Sequence, residues 1–198
     1  MTTILLVRHA SHDRVGDTLV GRTPGVHLGE EGRRQAQRLS ERLAHLSVAA
    51  IYTSPLERAV QTAEMLAPLW GIGVQCSEHF EEIDFGEWSG QRFDDLAADA
   101  RWVEWNRFRS GAPLPGGGLM LQVQARAVAG LVGLHQRHRG QTVLVVSHAD
   151  VIKAAVAHFL GVPLDLFHRI EISPASLSVL ALHDWGAQVL RLNDTGEV

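Results

Sequence analysis

Ile4-Leu5-Leu6-Val7-Arg8-His9 and Val143-Leu144-Val145-Val146-Ser147-His148 share one pattern: four apolar residues in an unbroken run, then one polar residue and a histidine. An apolar run with no polar residue in alternate positions marks a strand buried on both faces, the setting of a parallel sheet covered by helices. Each histidine then falls just past the carboxyl end of such a strand, where open α/β sheets bind their ligands.

Between these runs, Ala36, Leu39, Leu43 and Leu46 recur at helical spacing within Glu30 to Leu46, and Val48 to Tyr52 reads as a strand. Ser54-Pro55-Leu56-Glu57 offers a capping residue, a proline for the first helical position and an early acid, which predicts a helix from there to about Ala67. A short strand follows near Gly73 to Cys76, then an irregular stretch through Gly90. One or two short helices lie between Arg92 and Phe108, and a long helix runs from Met120 to His138. Beyond His148 the pattern predicts a helix over Val151 to Leu160 and strands around Ile170 to Ile172, Leu177 to Leu182 and Val189 to Leu192. Strands alternating with helices make a three-layer α/β domain.

The 198 residues fit one domain, 1–198, because Gly111-Ala112-Pro113-Leu114-Pro115-Gly116-Gly117-Gly118 is too short for a linker and reads as a loop. A net charge of -4 gives no general attraction to nucleic acid or to an anionic membrane, so any anion site is local. No apolar run is long enough to span a bilayer and no signal-peptide pattern opens the chain, so a cytoplasmic protein is expected. Cys76 is the single cysteine, which excludes an internal disulfide and a cysteine-built zinc site, and it is expected to be buried.

His9 and His148, with Arg8 and Arg58 within reach of the same crevice, suit a phosphate group. Guanidinium forks bind phosphate oxygens bidentately, and a neutral imidazole can attack phosphorus. A leaving alkoxide needs a proton, and Glu81, Glu82, Asp84 and Glu87 crowd one short segment where burial and like charge can raise a carboxyl pKa; composition does not say which of them supplies it.

Leu6-Val7-Arg8-His9, Leu28-Gly29-Glu30-Glu31-Gly32-Arg33-Arg34-Gln35-Ala36, Tyr52-Thr53-Ser54-Pro55-Leu56-Glu57-Arg58-Ala59-Val60-Gln61-Thr62-Ala63, Glu82-Ile83-Asp84-Phe85-Gly86-Glu87-Trp88-Ser89-Gly90 and Val146-Ser147-His148 follow one another in an order that resembles the histidine phosphatase superfamily, in its phosphoglycerate mutase-like branch. The resemblance implies an α/β/α sandwich with a mostly parallel central sheet and a covering insertion at about 84–118. It implies that His9 is the nucleophile, that Arg8, Arg58 and His148 hold the phosphoryl group, and that Glu82 is the acid. It also implies hydrolysis of a small-molecule phosphate ester with no metal and no organic cofactor. A phosphomutase, a phosphohistidine protein phosphatase and a weakly catalytic binding module are the alternatives, and a homodimer is compatible with the sequence.

The chain departs from the family pattern at three places. Ala10 replaces the usual glycine. Ser11 to Val20 lacks the usual asparagine, for which His12, Arg14 or Arg22 can stand in, with Arg22 taken as a phosphate ligand. Pro115-Gly116-Gly117-Gly118-Leu119 replaces Gly-Gly-Glu-Ser. Trp102, Trp105 and Phe108 recur at helical spacing, as a core face or as an apolar wall to the pocket. Arg101, Arg107 and Arg109 are expected on a solvated face, with a second anion site as the sharper reading.

Overall fold

β1 (Thr2–Arg8) and β4 (Thr142–Ser147) lie parallel and adjacent, with Ile4 opposite Val143 and Arg8 opposite Ser147. In this computed structural model, which describes residues 1–196, both strands are buried on both faces as their apolar runs require. Ile4, Leu6, Val143 and Val145 pack into one core with Met120, Val123, Leu131, Val151 and Ile152, while Leu5, Val7, Leu144 and Val146 pack into a second with Leu39, Leu43, Ala59 and Ala63. The sheet is therefore the middle layer of an α/β/α sandwich. Glu197 and Val198, the end of the 1–198 span, lie outside the described residues.

The sheet has six strands in the order β3-β2-β4-β1-β5-β6. β2 (Ala50–Thr53) and β3 (Val74–Cys76) extend the parallel part beyond β4, and β5 (Leu177–His183) and β6 (Gly186–Asp194) add two antiparallel strands beyond β1. α1 (Glu30–Leu43) and α2 (Glu57–Leu66) cover one face, and α5 (Met120–Arg137) and α6 (Ala149–Leu160) the other. No helix among the described residues is long and apolar enough to cross a membrane.

Three expectations need correction. Ser54 and Pro55 do not open α2, which begins at Glu57 after an extended Leu56; the Ser54 hydroxyl accepts from the Leu56 N–H at 3.3 Å and meets His148 Nε2 at 2.7 Å. Ile170-Glu171-Ile172 is not a strand. It leaves a 3-10 stretch, Leu164–Arg169, and alternates only because Ile170 and Ile172 drop into the core, while the Ile172 carbonyl accepts a hydrogen bond from Arg8 at 2.7 Å. Cys76 is exposed, because β3 is an edge strand with little laid over it.

Residues 84–118 hold a 3-10 turn, Gly86–Trp88, and two short helices, α3 (Phe93–Ala97) and α4 (Ala100–Arg107). The aromatic triplet divides: Trp105 is fully buried against Trp88 and Phe85, Trp102 is half-buried beside them, and Phe108 is exposed. The glycine-rich loop folds back on the turn, with Glu87 N–H donating to the Pro115 carbonyl at 2.9 Å and Gly118 N–H to the Asp84 carbonyl at 3.1 Å. Gly86 sits at φ +54, and a Cβ there would fall 2.1 Å from the Pro115 carbonyl oxygen and 2.5 Å from the Gly116 carbonyl carbon. Both neighbours are backbone, so relief requires the two segments to part. Gly86→Ala is expected to lose more than the ~1 kcal/mol of the left-handed backbone alone, read as a lower urea midpoint. An unchanged midpoint would show that the loop contact is dispensable.

Candidate active site

Strand register places the two histidines. Arg8 pairs with Ser147 at the ends of β1 and β4, the next residue on each strand is His9 or His148, and the rings stand 5.0 Å apart, edge to face. The start of α2 inserts Arg58 between them: its Nε donates to His9 Nε2 at 3.2 Å, and its Nη2 to the Gly21 carbonyl at 2.8 Å and to His148 Nδ1 at 3.3 Å. Glu82 closes the group, with Oε1 accepting from the Ile83 N–H at 2.9 Å and Oε2 lying 3.7 Å from His148 Nδ1.

The hydrogen bonds assign the tautomers. His9 Nδ1 lies 2.8 Å from the Ala10 carbonyl, which can only accept, so Nδ1 carries the proton and Nε2 presents its lone pair towards Arg58. Ala10 does not crowd the site: it is fully buried, and its N–H donates to the Thr62 hydroxyl at 3.1 Å. His148 is bonded on both sides, by Arg58 at Nδ1 and by Ser54 at Nε2. A hydroxyl accepts or donates, so Ser54 supports either tautomer of that ring.

Burial, reinforced by Arg58 and Arg8, holds the His9 pKa well below its ordinary value, and burial with Arg58 and His9 does the same to His148. Both rings are neutral at neutral pH. Glu82 moves the other way, pushed up to about 7 by burial and by the Asp150 charge against the opposing pull of Arg58. A neutral imidazole thus shares the site with a carboxyl that holds its proton near neutrality, a pairing suited to phosphoryl transfer to an imidazole.

Three guanidinium nitrogens, Arg8 Nε, Arg58 Nη1 and Arg109 Nε, are buried without a hydrogen-bond partner. Buried charged donors are ordinarily paired, and all three belong to arginines that line a cavity of about 290 Å³ together with His9 and Glu82. His148 is fully buried beside them.

Arg22 is not brought to this cavity. Its Nε donates to the Glu82 carbonyl at 2.8 Å and its Nη1 pairs with Glu81 at 2.9 Å, so it grips the backbone at Glu82. Arg14 is exposed, whereas His12 is buried, lines the cavity and stacks on His9 at 5.8 Å. Its Nδ1 accepts from the Arg14 N–H at 3.2 Å, and burial with Arg58 and Arg8 lowers its pKa to about 4, leaving a neutral ring whose Nε2 is a donor.

Of the three arginines near α4, Arg101 and Arg107 are exposed as expected and Arg109 is not. Its guanidinium lies 3.6 Å from the Trp105 ring centroid and 4.6 Å from that of Phe167, and it reaches Asp150 in the cavity wall at 2.9 Å. Stacking on two aromatic faces is what lets an arginine in the turn after a short helix be buried.

Residues 4–195 match the family model of the histidine phosphatase superfamily, branch 1. The chain belongs to this superfamily. It is 32% identical over 98% of its length to phosphoserine phosphatase 1 of Hydrogenobacter thermophilus, 93% of which is covered. Among solved structures, the Bacillus stearothermophilus protein YhfR superposes with a TM-score of 0.89 at 29% identity, covering 98% of each chain. A mycobacterial glucosyl-3-phosphoglycerate phosphatase solved with VO3 superposes with a TM-score of 0.86 at 27% identity, covering 97% of this chain and 98% of that one.

Sequence reasoning did not find Ser54, Asp150 or Arg126. Ser54 carried a capping signal that masked its contact with His148. Arg126 projects from α5 to the carbonyls of Glu78, His79, Glu81 and Glu82, a link that nothing local announces. Ser54→Ala removes the hydroxyl from a buried imidazole nitrogen, and inorganic phosphate is expected to bind about tenfold more weakly, the cost of about one kcal/mol or slightly more for an unsatisfied buried group. Calorimetric titration checks this, and equal affinity would show that Ser54 has no part in orienting His148.

Proposed function

We propose that the protein is a phosphoric monoester hydrolase that cleaves a small phosphorylated metabolite through a phosphohistidine at His9. The observation that carries this reading is the pair of unpartnered guanidinium nitrogens, Arg8 Nε and Arg58 Nη1, beside an imidazole whose Nδ1 is anchored on Ala10 and whose Nε2 lone pair is met only by Arg58 Nε. The phosphatase names of the relatives at 27–32% identity agree with it.

The phosphate ester brings its anionic oxygens to Arg8 and Arg58. Arg58 turns from His9 and His148 onto the anion, which bares His9 Nε2 and leaves His148 Nδ1 free to donate, with Ser54 taking up the role of donor to Nε2. His9 Nε2 then attacks phosphorus in line. The N–P bond forms as the P–O bond to the organic group breaks, and Glu82 gives its proton to the departing oxygen. In the second step Glu82 takes a proton from water, the water oxygen bonds to phosphorus, and the N–P bond breaks to release inorganic phosphate and restore neutral His9. The arginines stabilise charge on the equatorial oxygens in both steps. No group of three or more His, Cys, Asp or Glu among the described residues could hold a metal ion, and the scheme asks for none.

In this reading residues 84–118 form the cover of the pocket, to which they contribute Phe85, Phe93, Trp102, Asn106 and Arg109. The proposal includes a cytoplasmic setting, in keeping with a free, exposed Cys76.

Hydrolysis of p-nitrophenyl phosphate is expected to resist chelator and to vanish in His9→Ala. Full activity in that variant would remove His9 as the nucleophile, and absence of turnover of any ester by the native protein would remove the hydrolase. Because Glu82 must enter the first step protonated and His9 is already neutral, kcat/KM, corrected for the ionisation of the substrate near 6, is expected to fall as pH rises through about 7. Glu82→Gln should abolish that limb and slow alkyl phosphates by about 10²–10⁴; a limb that persists in the variant would assign it to another group.

A further inference from the structure

The first turn of α6 carries a residue that the scheme above does not use. Asp150, two positions beyond His148, lines the same cavity as His9 and Glu82, and its carboxylate is held from one side only. Oδ2 accepts from Arg109 Nη1 at 2.9 Å, and no hydrogen bond among the described residues takes Oδ1.

The grip on Oδ2 is rigid. Arg109 is stacked against Trp105 and Phe167, and its Nη2 donates to Asn106 Oδ1 at 2.7 Å. The Asn106 amide in turn donates to the Trp102 carbonyl at 2.8 Å, which fixes which way the asparagine faces. Two of the guanidinium's five donors are thus spent on holding the carboxylate and the asparagine in place, and its Nε is buried without a hydrogen-bond partner. Burial opposes ionisation of Asp150, but Arg109 and Lys153 outweigh it and keep the carboxyl below its usual range, so it is charged at neutral pH. His168, another residue of the cavity lining, is lowered by burial and by Arg109 and is neutral there.

We propose that Asp150, clamped by Arg109, is the acceptor of a subsite that selects phosphate esters whose organic part carries a hydrogen-bond donor, a hydroxyl or an ammonium, past the ester oxygen. The inference rests on the hydrolase reading for its substrate and adds to it the chemistry of the leaving group. Arg8 and Arg58 make part of the cavity lining cationic and Asp150 adds a carboxylate oxygen without a hydrogen-bond partner, so a sugar, polyol or amino-alkyl phosphate is matched by both. A plain alkyl phosphate leaves Oδ1 desolvated and unpaired, and a carboxylate placed at that point opposes it. Rejection of an analogue that lacks the matching donor is the stronger form of discrimination, because the buried acceptor is then left without a partner.

The test compares esters of equal length, glycerol 1-phosphate and phosphoethanolamine against propyl and ethyl phosphate. It is run on the native protein, Asp150→Asn and Asp150→Ala, with p-nitrophenyl phosphate turnover as the measure of the chemical machinery. The native protein is expected to favour at least one donor-bearing ester over its alkyl partner by about tenfold or more in kcat/KM, and which one wins separates hydroxyl from ammonium recognition. Asp150→Asn keeps an oxygen for Arg109 while turning an amide N–H₂ to the cavity, so the preference should collapse towards unity and 3-phosphoglycerate should gain relative to glycerol 1-phosphate. Asp150→Ala should lose the preference without that gain, and the asparagine variant guards against a fold weakened by an unpaired Arg109.

Dissociation constants for the matched non-hydrolysable pair, 3,4-dihydroxybutylphosphonate and butylphosphonate, together with 3-aminopropylphosphonate against propylphosphonate, give a second readout that needs no turnover. Preferences that are absent in the native protein, or unchanged in Asp150→Asn, overturn the subsite. A binding preference in a protein that hydrolyses no ester supports the subsite and overturns the hydrolase instead.

Discussion

The charge of Arg58, buried where no water reaches most of it, is the constraint around which the molecule is arranged. A cation withdrawn from water costs several kcal/mol unless it is matched, and here its hydrogen-bond partners are two neutral imidazoles and the Gly21 carbonyl. The carboxyl that offsets it, Glu82, itself titrates at about 7. The surrounding fold sustains this imbalance: β1 and β4 are buried on both faces and present His9 and His148 in register, and α2 brings the guanidinium between them. An anion that enters completes the electrostatic set.

What the sequence revealed follows from how local each signal is. The runs Ile4 to Val7 and Val143 to Val146 were legible because burial on both faces removes every polar residue, and α1 was legible because its apolar residues keep helical spacing. Ile170 to Ile172 misled, since alternate apolar residues mark any chain that skirts a core, whether or not it pairs in a sheet. Ser54-Pro55 misled for another reason: a capping signal is local, and the partner that claims the hydroxyl, His148, lies on a different strand.

The site divides in the same way. Arg8, His9, Arg58 and His148 could be gathered by reasoning from strand ends and phosphate chemistry, while Glu82 needed the family resemblance to be separated from Glu81, Asp84 and Glu87. Arg109 looked like a surface residue because it stands among exposed Arg101 and Arg107. Its burial depends on Trp105 from its own segment and Phe167 from a distant one, a three-body packing arrangement that spacing along the chain does not encode.

The two arginines that hold the acid segment, Arg22 and Arg126, both donate to the Glu82 carbonyl and leave its carboxyl alone. The main chain there is pinned, and the side chain is held through Oε1 by the adjacent N–H with Oε2 3.7 Å from His148 Nδ1. In the proposed scheme Glu82 serves the leaving oxygen first and the attacking water second. Because both displacements are in line, the departing oxygen and the attacking water take the same place opposite His9, so the handover between those duties needs no loop movement, and the tempo of the cycle is left to the entry of the ester and the departure of phosphate.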